Sequence, residues 1–169
     1  MVETVLKVGN LVFPVGSDRG ITQSLAPIDN GDLRRTVNSL LVDTTREVNR
    51  KFTTTINCTD FDAPTLAGVW KGSEFTVESI AYLNQVVNPA SSTVTLIRDA
   101  VTTSIIGVKA DGSQISATGF SHITLVATFA ENVVVVKFRP ILDMLVVEVS
   151  SDTDEFEAGV GWSVTLEEI

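Results

Sequence analysis

The stretch Phe52-Thr53-Thr54-Thr55-Ile56-Asn57-Cys58 decides the fold class. Its side chains alternate, with Phe52, Thr54, Ile56 and Cys58 on one face and three polar residues on the other. A period of two is typical of a β-strand that buries one face. Trp162–Glu167 and Phe75–Glu78 alternate in the same way. These segments predict sheets with one face in the core and one face in water.

Strand signals continue on both sides of this stretch. Valine and threonine, whose β-branched side chains suit a pleated surface, make up roughly a quarter of the chain. We expect further strands at Thr4–Val8, Leu11–Val15, Ile21–Pro27, Ser39–Asp43, Val94–Arg98, Ser104–Lys109, His122–Phe129, Val133–Phe138 and Ile141–Val149. Tight turns are predicted at Gly9-Asn10, Asp111-Gly112 and Glu131-Asn132, and the first of them indicates a hairpin. Pro140 marks a strand end or a bulge, because it has no amide to donate.

Helix is expected to be scarce. Only Asp43–Arg50 has a helical pattern, with Glu47 three residues after Thr44 as a capping-box partner. We expect surface loops at Asp29–Asp32, Asn84–Ser92 and Lys109–Phe120, and no linker or repeat divides the chain. The sequence therefore predicts a mainly β fold: a single antiparallel β-sandwich or barrel-like domain over residues 1–169, with at most one short helix.

Composition excludes several classes of protein. The 169 residues include 12 Lys and Arg against 21 Asp and Glu, a net charge of −9 that opposes binding to nucleic acid. Cys58 is the only cysteine and His122 the only histidine, so neither an intrachain disulfide nor the usual zinc site can form. The N-terminus has no secretory signal pattern, and no apolar run reaches the ~20 residues of a membrane span.

Motifs for catalysis and cofactor binding are missing. His122 has no nucleophile elbow beside it, so we interpret it as a surface residue and predict no catalytic residue. Phosphate-loop and dinucleotide fingerprints are absent, and no cofactor is expected. The acidic cluster 152–157 lacks EF-hand spacing and is interpreted as a solvated loop, so no metal site is predicted.

The charges are unevenly distributed along the chain. Beyond Arg139 there are eight acids and no base, which leaves 13 acids for the 12 bases of the first 139 residues. Opposite patches on copies of one chain can make head-to-tail contacts. The candidate subunit-contact residues are Arg34, Arg35, Arg46 and Arg50 on the basic side and Asp152, Asp154, Glu155 and Glu157 on the acidic side. The alternatives are that the two regions pair within one fold or that both are solvated.

Two apolar features complete the candidate interaction residues. The run Val133-Val134-Val135-Val136 is apolar on both faces and predicts a central strand, or a strand whose second face meets another subunit. Trp70 and Trp162 are predicted to be buried anchors, either in an interface or in the core.

Several segments resemble small β-rich structural proteins of tailed bacteriophages. They are Leu33–Asn38, Leu41–Asp43, Lys51–Cys58, Gly68–Gly72, Phe138–Met144 and Gly161–Glu168. The resemblance is spread over much of the chain and rests on strand-like stretches rather than on a catalytic signature.

The resemblance implies a virion component made in the host bacterial cytoplasm and assembled in many copies, with no enzymatic activity and no cofactor. The leading interpretation is a subunit of the tail or tail tip, a homo-oligomer that contacts itself and neighbouring virion proteins, without nucleic acid or membrane as partners. One alternative is a capsid decoration protein. Another is a glycan-binding module for host recognition, in which Trp70 and Tyr82 would stack on a sugar ring.

Overall fold

The structure is a computed structural model that describes residues 5–28, 33–43, 50–154 and 159–169. Within these residues the chain forms fourteen β-strands. They are β1 Lys7–Val8, β2 Thr22–Pro27, β3 Leu33–Arg35, β4 Leu41–Asp43, β5 Phe52–Asp60, β6 Glu74–Glu78, β7 Leu83–Thr95, β8 Asp99–Ala100, β9 Ile106–Val108, β10 Gln114–Ser116, β11 Gly119–Ser121, β12 Val126–Phe138, β13 Pro140–Asp154 and β14 Gly159–Glu168.

The prediction of a mainly β, antiparallel fold of the sandwich or barrel-like class is confirmed. The described residues include one 3-10 turn, Thr102–Ser104, and no α-helix. The predicted helix at 43–50 and the predicted loop at 29–32 lie almost entirely outside the described residues.

The chain divides into two compact units, each made of two separate stretches. Unit 1 comprises Met1–Leu11 and Thr76–Asp143, and unit 2 comprises Val12–Phe75 and Met144–Ile169. The single domain expected over residues 1–169 stays a prediction.

Unit 1 is organised around β12, which pairs with β7 along one edge and with β9 and β11 along the other. Its core consists of Val94, Leu96, Ala100, Ile105, Ala127, Phe129, Val133, Val136 and Phe138. Gly107 of β9 lies against this core so closely that a Cβ there would approach the Val133 side chain to 2.5 Å. A larger residue at this position would therefore require the Val133 and Phe129 side chains to move.

The predicted turn at Glu131-Asn132 is wrong, because β12 continues through it as one irregular strand. The two polar residues are exposed, and the register with β7 shifts between Thr128 and Val133. A shift of this kind absorbs extra residues without ending a strand. The central-strand prediction for Val133–Val136 is confirmed, since β12 pairs with β7 and with β9 in this run. Val133 and Val136 are fully buried, whereas Val134 and Val135 are half-buried.

Unit 2 contains the strand order β13, β14, β5, β2, with neighbours antiparallel. The alternating stretch Phe52–Cys58 lies in β5, and its residues Thr54, Ile56 and Cys58 are buried as the alternation predicts. The adjacent β14 buries Trp162, Val164 and Leu166, which stand opposite Cys58, Ile56 and Thr54 respectively. In each of these three pairs, both residues are buried, so β5 and β14 bury the same face of the sheet.

The predicted hairpin across Gly9-Asn10 is wrong. β1 pairs with β6 instead, with Val8 opposite Val77, and residues 11–14 form no strand. Gly9 adopts a φ of 50° and donates its amide to the carbonyl of Thr76. The turn therefore exists, but the strand before it, β1, pairs with the sequence-distant β6 and not with the residues that follow the turn.

The predicted loop at 84–92 is also wrong, since these residues belong to β7. β7 carries four residues, 87–90, opposite the single Val134 of β12. This irregularity includes Pro89, which explains why the segment reads as a loop in the sequence.

Candidate interaction surfaces

The β3–β4 hairpin is the most exposed ordered segment of unit 2. Its strands pair with Arg34 opposite Val42 and Arg35 opposite Leu41. All of residues 34–42 are exposed, including the four apolar side chains Val37, Leu40, Leu41 and Val42. A hairpin that exposes so much apolar surface has the composition of a contact surface.

Hydrogen bonds within the hairpin define the shape of its tip. The amide of Ser39 donates to the carbonyl of Thr36 and the amide of Thr36 donates to the carbonyl of Leu40, each at 2.9 Å. Ser39 adopts a φ of 62°, and its carbonyl accepts a hydrogen bond from the Arg35 guanidinium at 3.1 Å. The tip is therefore an ordered turn that presents Val37 to solvent.

The hairpin belongs to an excursion from the β2–β5 pair. Pro27 is opposite Phe52 at the end of that pair, and the amide of Ile28 donates to the carbonyl of Lys51 at 2.8 Å. Arg50 is exposed beside this point. We call the hairpin together with Arg50 the basic end of unit 2.

Acidic residues collect at the other end of the same strands. Asp60 is the last residue of β5. Gly161 of β14 pairs with Thr59 of β5 on one side and with Asp152 of β13 on the other. Asp152 and Thr59 are thus two strand spacings apart, about 10 Å. Asp154 lies farther along β13, and both Asp152 and Asp154 are exposed. We call this region the acidic end of unit 2.

The structure therefore places the described candidate contact residues in two groups. Arg34, Arg35 and Arg50 belong to the basic end, and Asp152 and Asp154 belong to the acidic end. The eight residue steps of β5 separate Phe52, next to Lys51 and Arg50, from Asp60 by about 27 Å. Arg46, Glu155 and Glu157 lie outside the described residues.

Part of the acidic tail does not contribute to this polarity. The Glu168 carboxylate accepts the amide of Phe52 at 2.9 Å, and the Lys51 ammonium donates to the carbonyl of Ile169 at 2.5 Å. The last residues of the chain thus lie at the basic end. The eight acids beyond Arg139 are therefore not all at one end of the sheet, because antiparallel β14 runs from Gly159 beside Asp154 back to Glu168 beside Met144.

An apolar patch at the acidic end is a feature that the sequence reasoning missed. Phe61 follows Asp60 and is 68% exposed, and Val15 is 73% exposed. The amide of Phe61 donates to the carbonyl of Gly16 at 3.0 Å, so Phe61 lies next to the residue that follows Val15. The Arg19 guanidinium lies 5.8 Å from the centroid of the Phe61 ring. The sequence signal that could have indicated its exposure is the position of this aromatic residue between two aspartates, Asp60 and Asp62.

The two tryptophans differ sharply in burial. Trp162 is 4% exposed, its indole N–H donates to the carbonyl of Ser17 at 3.2 Å, and its ring lies 5.9 Å from that of Phe13. The prediction that it is buried is confirmed. Trp70 is 74% exposed, so the same prediction for Trp70 is wrong.

A tight turn explains the exposure of Trp70. The amide of Ser73 donates to the Trp70 carbonyl at 2.9 Å, and Gly72 adopts a φ of 90°. These are the features of a turn that requires glycine near its end. Residues of such turns lie at the surface, whereas Trp162 occupies an inward position of a strand.

His122 takes part in a chain of hydrogen bonds in unit 1. Its Nδ1 is 2.7 Å from the Asp99 carboxylate, and its Nε2 is 3.1 Å from the Thr102 hydroxyl. The order of hydroxyl, imidazole and carboxylate is that of a hydrolytic triad. Thr102 and much of the imidazole are exposed, and the ring of Phe120 packs edge-on against His122 at 4.9 Å. We interpret the cluster as a surface clamp between the 3-10 turn and the segment that follows β11.

Cys58 is buried beside the acidic end. Its thiol donates to the carbonyl of Arg19 at 3.2 Å. Burial raises the pKa of this thiol above its ordinary value of 9.0, and the charges of Asp60 and Asp18 raise it further. The thiol is therefore held in its neutral form.

Neither a metal-binding cluster nor a membrane-spanning helix is found among the described residues. In that part of the chain, no three His, Cys, Asp or Glu side chains are grouped so that they can hold a metal ion. Nor does it contain a helix of the length and apolarity needed to cross a membrane.

Comparison with known proteins gives no relative. No protein-family description, no curated protein and no solved structure matches the chain. The candidate surfaces therefore rest on geometry and chemistry alone.

Proposed function

We propose that the chain is a structural subunit of a tailed-phage particle, in the tail or tail tip, that works by associating with copies of itself and with neighbouring virion proteins. It would be made in the host bacterial cytoplasm and would reside in the virion. The proposal requires neither a catalytic residue nor a cofactor.

One observation carries the proposal of self-association. Residues 34–42 form an ordered hairpin in which every residue is exposed, and four of them are apolar. Exposed apolar side chains gain about 25 cal/mol for each Å² that a partner covers. An ordered segment that leaves such surface uncovered has the properties expected of an assembly contact.

The phage setting rests on the resemblance of Leu33–Asn38 and the other strand segments to virion proteins of tailed phages. The hairpin that carries the proposed contact includes two of these segments, Leu33–Asn38 and Leu41–Asp43. A virion subunit needs a stable scaffold and contact surfaces. Each unit has a well-buried core, and unit 2 also carries the exposed hairpin.

Immunogold labelling of purified particles tests the location. We expect label at the tail. Label spread over the capsid would instead support a decoration protein and would overturn the tail assignment. Particles that carry neither the label nor the chain, as judged by mass spectrometry, would overturn the virion proposal itself.

The exposure of Trp70 favours a second candidate, a glycan-binding module for host recognition. Trp70 is 74% exposed and Tyr82 is 49% exposed, and an exposed aromatic ring can stack on a sugar. Titration with host surface glycans would quench tryptophan fluorescence if this candidate is correct. The quenching should disappear in Trp70→Ala and persist in the control Ile123→Ala, whose side chain is exposed in unit 1.

A further inference from the structure

We infer that the β3–β4 hairpin of one copy docks on the acidic end of the next copy, against Val15 and Phe61. This inference rests on the proposed self-association and adds the partner surface and the direction of assembly.

Both surfaces present apolar groups that their own chain leaves uncovered. On the hairpin, Val37 is fully exposed and Leu40 is 66% exposed. On the acidic end, Val15 and Phe61 are more than two-thirds exposed, and a hydrogen bond joins Phe61 to Gly16, the residue after Val15. Packing one pair against the other would remove all four side chains from water.

The charges around the two apolar pairs are opposite. Arg34 and Arg35 precede the hairpin tip on β3. At the acidic end, Arg19 lies at the Phe61 ring and is outnumbered by the exposed Asp62, Asp152 and Asp154. Complementary charge around an apolar centre favours the correct partner and opposes contacts between two like ends. Hairpin-to-hairpin pairing would bring four arginines together, which disfavours a symmetric contact.

The positions of the surfaces make the contact one between copies. The acidic end lies the length of β5 from the point where the excursion leaves the sheet. The hairpin and the Val15–Phe61 patch are both exposed, so neither covers the other within one chain. A contact between unlike surfaces is heterologous, and it closes into a ring or continues as a chain of subunits.

Two variants of the full chain separate the surfaces. The hairpin variant carries Val37→Ser and Leu40→Ser, and the receptor variant carries Val15→Ser and Phe61→Ser. A matched control carries Val86→Ser and Ile123→Ser, two exposed apolar positions of unit 1. Because all six positions are exposed, we expect the three variants to keep the thermal unfolding midpoint of the parent chain.

Sedimentation velocity of each variant and of mixtures gives the test. The parent chain and the control should associate alike, whereas the dissociation constant of each surface variant should rise more than about tenfold. An equimolar mixture of the two surface variants should form a dimer and nothing larger, because each contributes one intact surface. Formation of this dimer also shows that both variants are folded.

Each contrary result has a distinct meaning. If the parent chain associates and both surface variants associate equally well, the inferred surfaces are wrong while self-association stands. If the surface variants are monomeric but their mixture is monomeric too, the hairpin does not bind the Val15–Phe61 patch. A parent chain that stays monomeric at every concentration overturns the proposed function together with this inference.

Discussion

The amide of Ile28 donates a hydrogen bond to the carbonyl of Lys51 at 2.8 Å, directly beyond the last residue pair of β2 and β5, Pro27 and Phe52. Residues 29–50 are therefore an insertion between two hydrogen-bonded residues. The sheet is complete without the intervening segment. This relationship separates the part of unit 2 that holds the fold together from the part that we assign to assembly.

Replacing residues 29–50 with Asn-Gly should therefore preserve the fold. Ile28 and Lys51 form a hydrogen-bonded pair, which a two-residue turn can close. Because a shorter loop costs less closure entropy, we expect the free energy of unfolding in urea to stay level or rise by up to about 2 kcal/mol. A fall of more than about 2 kcal/mol would show that the excursion packs on the sheet and would contradict its assignment as an assembly arm.

The two tryptophans form a matched pair for a stability experiment. Trp162→Phe removes buried volume and the hydrogen bond to Ser17, and should cost about 1–3 kcal/mol of unfolding free energy. Trp70→Phe changes an exposed ring and should stay within about 0.5 kcal/mol of the parent chain. Iodide should quench the fluorescence of Trp70 strongly in the first variant and that of Trp162 weakly in the second. Equal quenching of both residues would contradict the assigned burial.

The raised pKa of Cys58 predicts a loss of stability at alkaline pH. Below the ordinary value of 9.0 the thiol is neutral in the folded and the unfolded chain. As the pH rises above that value, the unfolded chain loses its thiol proton first, which favours unfolding until the folded pKa is passed. Above pH 9 the parent chain should therefore lose unfolding free energy relative to Cys58→Ala. The effects of the other titrating groups are the same in both proteins and cancel in the difference. A difference that stays constant across this range would contradict the neutral buried thiol.

The His122 cluster should stabilise unit 1 without catalysing hydrolysis. Removing the imidazole breaks the contacts to Asp99 and Thr102, so His122→Ala should lower the unfolding free energy by about 1 kcal/mol. The rate of p-nitrophenyl acetate hydrolysis should be the same for the parent chain and for Thr102→Val. An activity lost in both Thr102→Val and His122→Ala would identify a working triad and would overturn the interpretation as a clamp.

Alternation predicted the core of unit 2 because it is a local property of the sequence. β5 and β14 bury the faces that their periodicity indicates, and Trp162 follows from its place on an inward position. The pairing of β1 with β6 could not be predicted in this way. The Gly9-Asn10 turn favours a local hairpin, and only the folded chain brings Thr76 to the amide of Gly9.

The charges of the candidate interaction surfaces were predictable from the sequence, but the shapes of these surfaces were not. The arginines and Asp152 stand out in the sequence, whereas the exposure of Phe61 depends on its contact with Gly16, a residue distant along the chain. Trp70 shows the same limit, because its aromatic character suggests burial and only the turn at Gly72 places it in solvent. The positions of Glu167 and Glu168 at the basic end likewise follow from the direction of β14.

Sedimentation velocity of the unmodified chain, followed over a wide range of protein concentration, tests the central claim most directly. We predict that the mass rises with concentration beyond the 18.2 kDa of one chain, and that added salt reduces this association by screening the charges around the contact. A species that remains at 18.2 kDa at every concentration and at low salt would contradict the claim that this protein assembles with copies of itself.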